Sequence, residues 1–270
     1  MAAALKKVVS YSLFWCAKDE HALLYVNGCR AICRAHHTLF PDWEWRIYHD
    51  GTINRCPTAS VLLKYEAAGM VKLVNFGEEK RLCRAMIQRM QPIWDGEVSH
   101  TLCRDLDSLP TPRDAMAARQ FVDSGAALHA MCDNPQHGAV IMGGLCGFKG
   151  DEFRLRTGLK KFDDLVAGES LDRHGDDQLL LLHRVWPHLE RHVCEHRVSG
   201  HSPSAKALKS YTTIAGVELA GVPAAVMAGG DALIPYMGVA GFDPAKAEAF
   251  YNEHAPADLI QRIRDAEATL

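Results

Sequence analysis

The chain has 270 residues, 48% of them hydrophobic and 23% charged, with a formal net charge of -3. Such a chain can bury a sizeable core without disulfide or metal staples, and its charge excludes a global pull toward nucleic acid or anionic membrane. Nine cysteines contain no CxxC pair, which argues against a zinc site; their odd number, with no secretory leader, predicts reduced thiols and a cytoplasmic setting. The longest weakly apolar stretch, residues 216–242, is interrupted by Glu218, Pro223, Asp231 and Pro235, so no transmembrane segment is predicted.

In chain order, residues 7–14 are β-branched at their start and read as a buried strand. A helical stretch over residues 21–38 follows, then a second strand over 43–49 that ends in the breaker Asp50-Gly51. Residues 60–68 read as a helix, 70–76 as a third strand and 79–90 as a helix carrying Arg81, Arg84 and Arg89. A strand over 99–103 runs directly into Arg104-Asp105-Leu106-Asp107-Ser108. Thr111-Pro112 opens a helix to residue 124, with Thr111 as cap and Pro112 at the first helical position. Residues 127–131 and 139–148 read as two more strands around a turn at 132–138. Helices dominate from residue 153, including one from Asp176 that Pro187 stops and a last one over 256–268.

Strands alternating with helices predict an α/β fold, a mostly parallel sheet flanked by helices. Ligands of such sheets bind beyond the carboxyl ends of the strands. Ser10-Tyr11-Ser12, His49-Asp50 and the Asp105–Ser108 turn should therefore share one edge. Past a strand end, Asp105 and Asp107 can turn toward one point, and two carboxylates suit a hard divalent cation when phosphates supply the other ligands. Asp and Ser are also ordinary turn residues, and a bare DxD is common.

The chained motifs are more specific than that pair. Arg104-Asp105-x-Asp107-Ser108, Arg113-Asp114, His129-x-Met131-x-Asp133-x-Pro135-x-His137, Ile141-Met142-Gly143-Gly144-Leu145-Cys146-Gly147 and Gly175-Asp176-Asp177-Gln178 follow one another in order. In this order they resemble the GT-A nucleotide-sugar glycosyltransferases, over about residues 8–198. The chain departs from that pattern at Asp114, Cys132, Asn134 and Cys146, which marks a divergent member.

The resemblance implies a Rossmann-like GT-A domain over residues 1–200 and a small, mainly helical C-terminal extension over 201–270 near the acceptor side. It implies a hexosyl or pentosyl transferase that uses Mn2+ or Mg2+ and a UDP- or GDP-sugar; the acceptor is a glycan, a lipid-linked sugar or a modified nucleic-acid base, and the acidic net charge favours a glycan over nucleic acid. Asp105 and Asp107 would hold the metal and diphosphate, with His196 as third metal ligand and His201 as its competitor. Ser10, Tyr11 and Asp50 would lie near the base and ribose. Arg89 and Arg104 would contact phosphate, Arg113 would belong to the donor-binding set, and Gly143 and Gly144 would let backbone approach the sugar or acceptor. Asp177, with Asp176 beside it, would serve the acceptor hydroxyl. Each has a plainer alternative: Asp50 as a turn residue, Arg89 in a surface ion pair, Gly143-Gly144 as a bulge, Asp176-Asp177 at a helix start. Arg191, Arg197, Lys206 and Lys209 could form a local basic patch. The competing functions are a haloacid-dehalogenase-like phosphatase with Asp105 as nucleophile, opposed by Leu109 where Thr is wanted, and an inactive binding protein of the same fold.

Overall fold

The computed structural model describes residues 4–16, 25–56, 59–132, 138–197, 219–233 and 242–269. Among these, seven strands form one sheet: β1 (Lys6–Leu13), β2 (Glu44–His49), β3 (Lys72–Asn75), β4 (Val98–Arg104), β5 (Leu128–Cys132), β6 (Leu145–Lys149) and β7 (Val193–Arg197). Their order is β3-β2-β1-β4-β6-β5-β7. Every neighbouring pair is parallel except those of β6, which runs antiparallel to both β4 and β5. The mostly parallel α/β sheet read from the sequence is the architecture observed.

Among the described residues the helices begin with α1 (Cys29–Leu39), α2 (Ser60–Ala67), α3 (Leu82–Met86) and α4 (Pro112–Ser124). They are followed by α5 (Gly150–Thr157), α6 (Phe162–Val166), α7 (Asp176–Arg184) and α8 (Trp186–Leu189). The last three are α9 (Ala224–Gly229), α10 (Pro244–His254) and α11 (Ala257–Ala268).

Side chains alternate across each strand, so a doubly covered sheet needs apolar residues on both faces. Val9, Tyr11 and Leu13 of β1 and Leu102 of β4 pack under Ile32 of α1, Tyr65 of α2, Phe121 of α4, Tyr251 of α10 and Ile263 of α11. On the other face, Cys103 of β4 and Cys146 and Phe148 of β6 meet the 3-10 segment Ile87–Trp94 and helices α5 to α8. The C-terminal helices thus belong to the same core as α1 and α2. Arg34 of α1, 1% exposed, ties them in. It donates to Glu267 Oε1 and Oε2 of α11 at 2.9 and 3.1 Å and to Asn252 Oδ1 of α10 at 2.8 Å.

Several boundaries differ from the sequence expectations. The helix expected over 79–90 is only α3, continued as the 3-10 segment Ile87–Trp94, which contains Pro92; proline has no N–H for a regular helical bond. The strand expected over 139–148 begins only at Leu145, whose N–H bonds to Met142 O at 3.0 Å across a turn containing Gly143 and Gly144. Helix α1 starts at Cys29, and the earlier part of the expected 21–38 helix lies partly outside the described residues. Helix α7 ends at Arg184, and Pro187 sits in the first turn of α8, where its missing N–H is not needed. The Thr111 cap is present: its side chain accepts the Asp114 N–H at 3.2 Å, with Pro112 first in α4. Asp133, Pro135, His137, His201, Lys206, Lys209 and the 234–241 part of the C-terminal loop lie outside the described residues.

Candidate active site

Parallel pairing puts the carboxyl ends of β1, β2 and β4 on one edge, with Leu13 beside His49 and Ser10 beside Cys103. The chain leaves β4 through a turn closed by Ser108 N–H to Asp105 O at 3.1 Å. Leu106 and Leu109 are 1% and 2% exposed and anchor this turn in the core. Burying Leu106 leaves its neighbours Asp105 and Asp107 only half-buried at the sheet edge. Burial, and then the charge of Asp105, push the Asp107 carboxyl up to about 6.

Arg89 joins this turn to the start of α7. It projects from the 3-10 segment, whose backbone is fixed to β1: Ser12 Oγ accepts the Arg89 N–H at 3.0 Å and donates to Met86 O at 2.8 Å. Its guanidinium bonds to Asp105 Oδ1 through Nη1, while Nη2 lies 3.5 Å from Asp177 Oδ2. Burial works against the Arg89 charge, but Asp105 and then Asp177 outweigh it and hold the group protonated. Asp177, 3% exposed, is the second residue of α7. Its neighbour Asp176 instead accepts the Arg173 N–H at 2.8 Å and closes the helix start.

Gly143 and Gly144 complete the cluster, and here the absent side chain is required. A Cβ on Gly144 would collide with the Asp105 carboxylate. One on Gly143 would collide with that of Asp177 and stand 2.9 Å from Arg89 Nη2. The turn before β6 therefore brings bare backbone against both acids.

A cleft of about 430 Å3 opens onto the cluster, lined by Ser12, Phe14, Trp15, Met86, Arg89 and Asp105 among others. Trp15 has φ 57°, the left-handed region that non-glycine residues rarely adopt. Asp50 holds it there, accepting the Trp15 N–H at 3.0 Å on one oxygen and the Thr52 N–H and hydroxyl at 3.0 and 2.6 Å on the other. The indole N–H of Trp15 donates to Glu79 O at 2.9 Å. Phe14 and Trp15 were missed in the sequence; their position just past the end of β1 was the available signal.

Other expected residues lie elsewhere. Ser10 and Tyr11 are 0% exposed, inside β1 rather than at its tip, and Tyr11 packs edge-on against Trp45. Arg104 is spent on Asp114, at 2.7 and 3.1 Å, and on the carbonyls of Cys103 and Cys146. Asp114, one of the four departures from the GT-A motif pattern, thus serves as the buried partner of Arg104. Arg113 has its backbone N–H on Asp231 Oδ1 at 3.2 Å, joining the start of α4 to the C-terminal segment. His196 uses both ring nitrogens, with His129 at 3.1 Å and Gln120 at 2.7 Å, and the structure does not bring it to the acidic turn. Among the described residues, no group of three or more His, Cys, Asp or Glu is placed to hold a metal by itself.

The donor set nevertheless fits a divalent cation. Arg89 is one positive charge beside the three carboxylates of Asp105, Asp107 and Asp177. Two of those acids, on an outward turn, offer hard oxygen ligands and leave positions for phosphate and water.

The chain is similar to several solved structures. One is the mannosyltransferase PcManGT from Pyrobaculum calidifontis in complex with GDP-Man and Mn2+ (14% identity, 74% of this chain and 59% of that one, TM-score 0.43). Another is S. aureus TarS 1-349 (11% identity, 72% and 58%, TM-score 0.45). A third is the glycosyltransferase GlyE of Streptococcus pneumoniae TIGR4 (14% identity, 71% and 45%, TM-score 0.47). The chain spans about half to three fifths of the length of these proteins. Likeness this loose carries no functional weight. No family model matches the sequence, and no curated protein matches it. No helix among the described residues is long and apolar enough to cross a membrane.

Proposed function

We infer that the chain is a metal-dependent glycosyltransferase, moving a sugar from a nucleotide-diphosphate sugar to an acceptor hydroxyl. The observation that carries this reading is the meeting of Asp105, Arg89, Asp177 and the Gly143-Gly144 backbone, with Arg89 and Asp105 lining one cleft. Acids alone would suit many reactions. Acids that share one buried arginine at the edge of a cleft suit an anionic ligand that arrives with a bridging cation.

In this reading Asp105 and Asp107 hold Mn2+ or Mg2+, which when bound neutralises the charge that develops on the leaving diphosphate. Arg89 shares that charge from the side of the 3-10 segment. Phe14 and Trp15 wall the cleft where the nucleoside of a UDP- or GDP-sugar lies, and Asp50 acts by holding Trp15. Gly143 and Gly144, having no Cβ, let bare backbone pass directly against the two acids. Asp177 accepts the proton of the acceptor hydroxyl, for which we favour a glycan. This reading assigns the acceptor side to the segment around Asp231, which is bonded to the start of α4.

The test is a thermal-shift series with UDP and GDP, with and without Mn2+, followed by a donor screen that reads free nucleoside diphosphate. At least one pair should raise Tm by about 3 °C or more, because a ligand that binds only the folded state stabilises it. Asp105→Ala should lower turnover by roughly 100-fold or more. Failure of every nucleotide to stabilise the protein would sink the reading.

A further inference from the structure

Both oxygens of Asp105 have protein neighbours. Oδ1 accepts Arg89 Nη1, and Oδ2 lies against Gly144 with no space for a Cβ between them. The Arg89 side chain is 4% exposed and is shared with Asp177. The Asp105 side chain is 35% exposed, so a divalent ion can approach it from the cleft, but an ion that shares this carboxylate weakens its bond to the guanidinium. A buried guanidinium deprived of its anion is costly, and Asp177 at 3.5 Å is a loose substitute.

We propose that Arg89 is the resident counter-ion of the acidic turn, that it competes with the divalent metal for Asp105, and that the diphosphate of the donor relieves the competition by taking the guanidinium. This rests on the reading of the site given above. A diphosphate offers the planar fork of Arg89 paired oxygens, and so replaces what the metal removes. The ion and the diphosphate therefore load together, while either alone binds weakly. Arg89 acts here as a positioning residue, keeping Asp105 and Asp177 in register across the cleft until both ligands arrive.

The experiment uses the full metal-free chain. Mn2+ binding is read from the loss of the free-ion electron-paramagnetic signal, and binding of UDP and GDP with chelator present is read by calorimetry. Arg89→Met should bind Mn2+ alone about tenfold more tightly than wild type and bind metal-free nucleoside diphosphate about tenfold more weakly, two opposite shifts from one substitution. Arg89→Lys keeps the charge but cannot fork across two carboxylates, and it should still bind Mn2+ about threefold more tightly. That variant separates competition from the loss of a positive charge, and it decides the matter if the Met variant does not melt cooperatively. A Lys variant identical to wild type, or a Met variant with unchanged or weaker Mn2+ binding, overturns the proposal. If Asp105→Asn retains Mn2+ binding, the assigned metal site falls and the competition falls with it. If Asp105→Asn abolishes Mn2+ binding while Arg89→Met leaves it unchanged, the site stands and only the competition is refuted.

Discussion

Single atoms decide much of this site. Gly144 is the sharpest case, because a single methyl group there would occupy the space of the Asp105 carboxylate. Gly144→Ala should rotate Asp105 away and weaken Mn2+-dependent nucleotide binding by about tenfold or more, while stability changes by only about 1 kcal/mol, since a flexible side chain can yield. Gly96→Ala, where no atom lies within 4 Å of the added methyl, is the matched control and should behave as wild type. Equal binding losses in both variants would show that the close approach does not matter. The same scale explains why the sequence misplaced some ligand contacts. Residue type and strand order indicated Asp105, Asp107, Asp177 and the glycine pair. Nothing in the sequence showed that Arg104 would be consumed by Asp114, or His196 by His129 and Gln120, because each pairing spans elements whose contact only the packed fold creates.

At the scale of elements, the strands were legible because apolar, β-branched runs had turn residues at their ends, and β1, β2, β3 and β4 fall within a few residues of expectation. Less legible was the segment after α3, where a helix-like pattern becomes a 3-10 run because its chain must deliver Arg89 between β1 and β4. The antiparallel course of β6 was also hidden: it follows from the turn that presents Gly143 and Gly144, which a strand reading of residues 139–148 had absorbed. The C-terminal helices show no motif in the sequence, yet Glu267 of α11 is a junction. It accepts from Arg34, Arg30 and Tyr65, while its backbone carbonyl accepts Lys64 Nζ at 2.8 Å. Burial opposes its charge, but Arg34 and Tyr65 outweigh that and hold its carboxyl below the usual range. Glu267→Ala would leave Arg34 with Glu248, Asn252 and the Arg30 carbonyl, and should cost about 2–4 kcal/mol in urea unfolding. A loss below about 0.5 kcal/mol would mean that α11 is not anchored there.

The whole molecule carries a marked load of neutral histidine. Burial depresses His36 and His129 far below the usual imidazole range, and it lowers His37, His100 and His196 to about 4. In the unfolded chain each binds a proton near pH 6.5, whereas in the fold His37, His100 and His196 stay neutral until about pH 4 and burial holds His36 and His129 neutral well below their ordinary value. The unfolded state thus holds more protons below pH 6.5, so the full stability present above that value is lost as pH falls. The slope is about 1.4 kcal/mol per pH unit for each histidine. Five acting together would exhaust an ordinary stability of about 5–15 kcal/mol before pH 4. Acid unfolding monitored by circular dichroism should have its midpoint near pH 5 and take up about three or more protons. A midpoint below about pH 3.5 would show that these rings are not kept neutral. The nine cysteines, every one buried and free, extend this whole-molecule view into kinetics. A thiol reagent cannot reach a sealed sulfur, so modification proceeds only as fast as the surrounding structure breathes open. With thiols spread through α1, β4, β5, β6 and β7, the native chain is its own stopwatch: the labelling rate at each cysteine times the opening of the layer that encloses it.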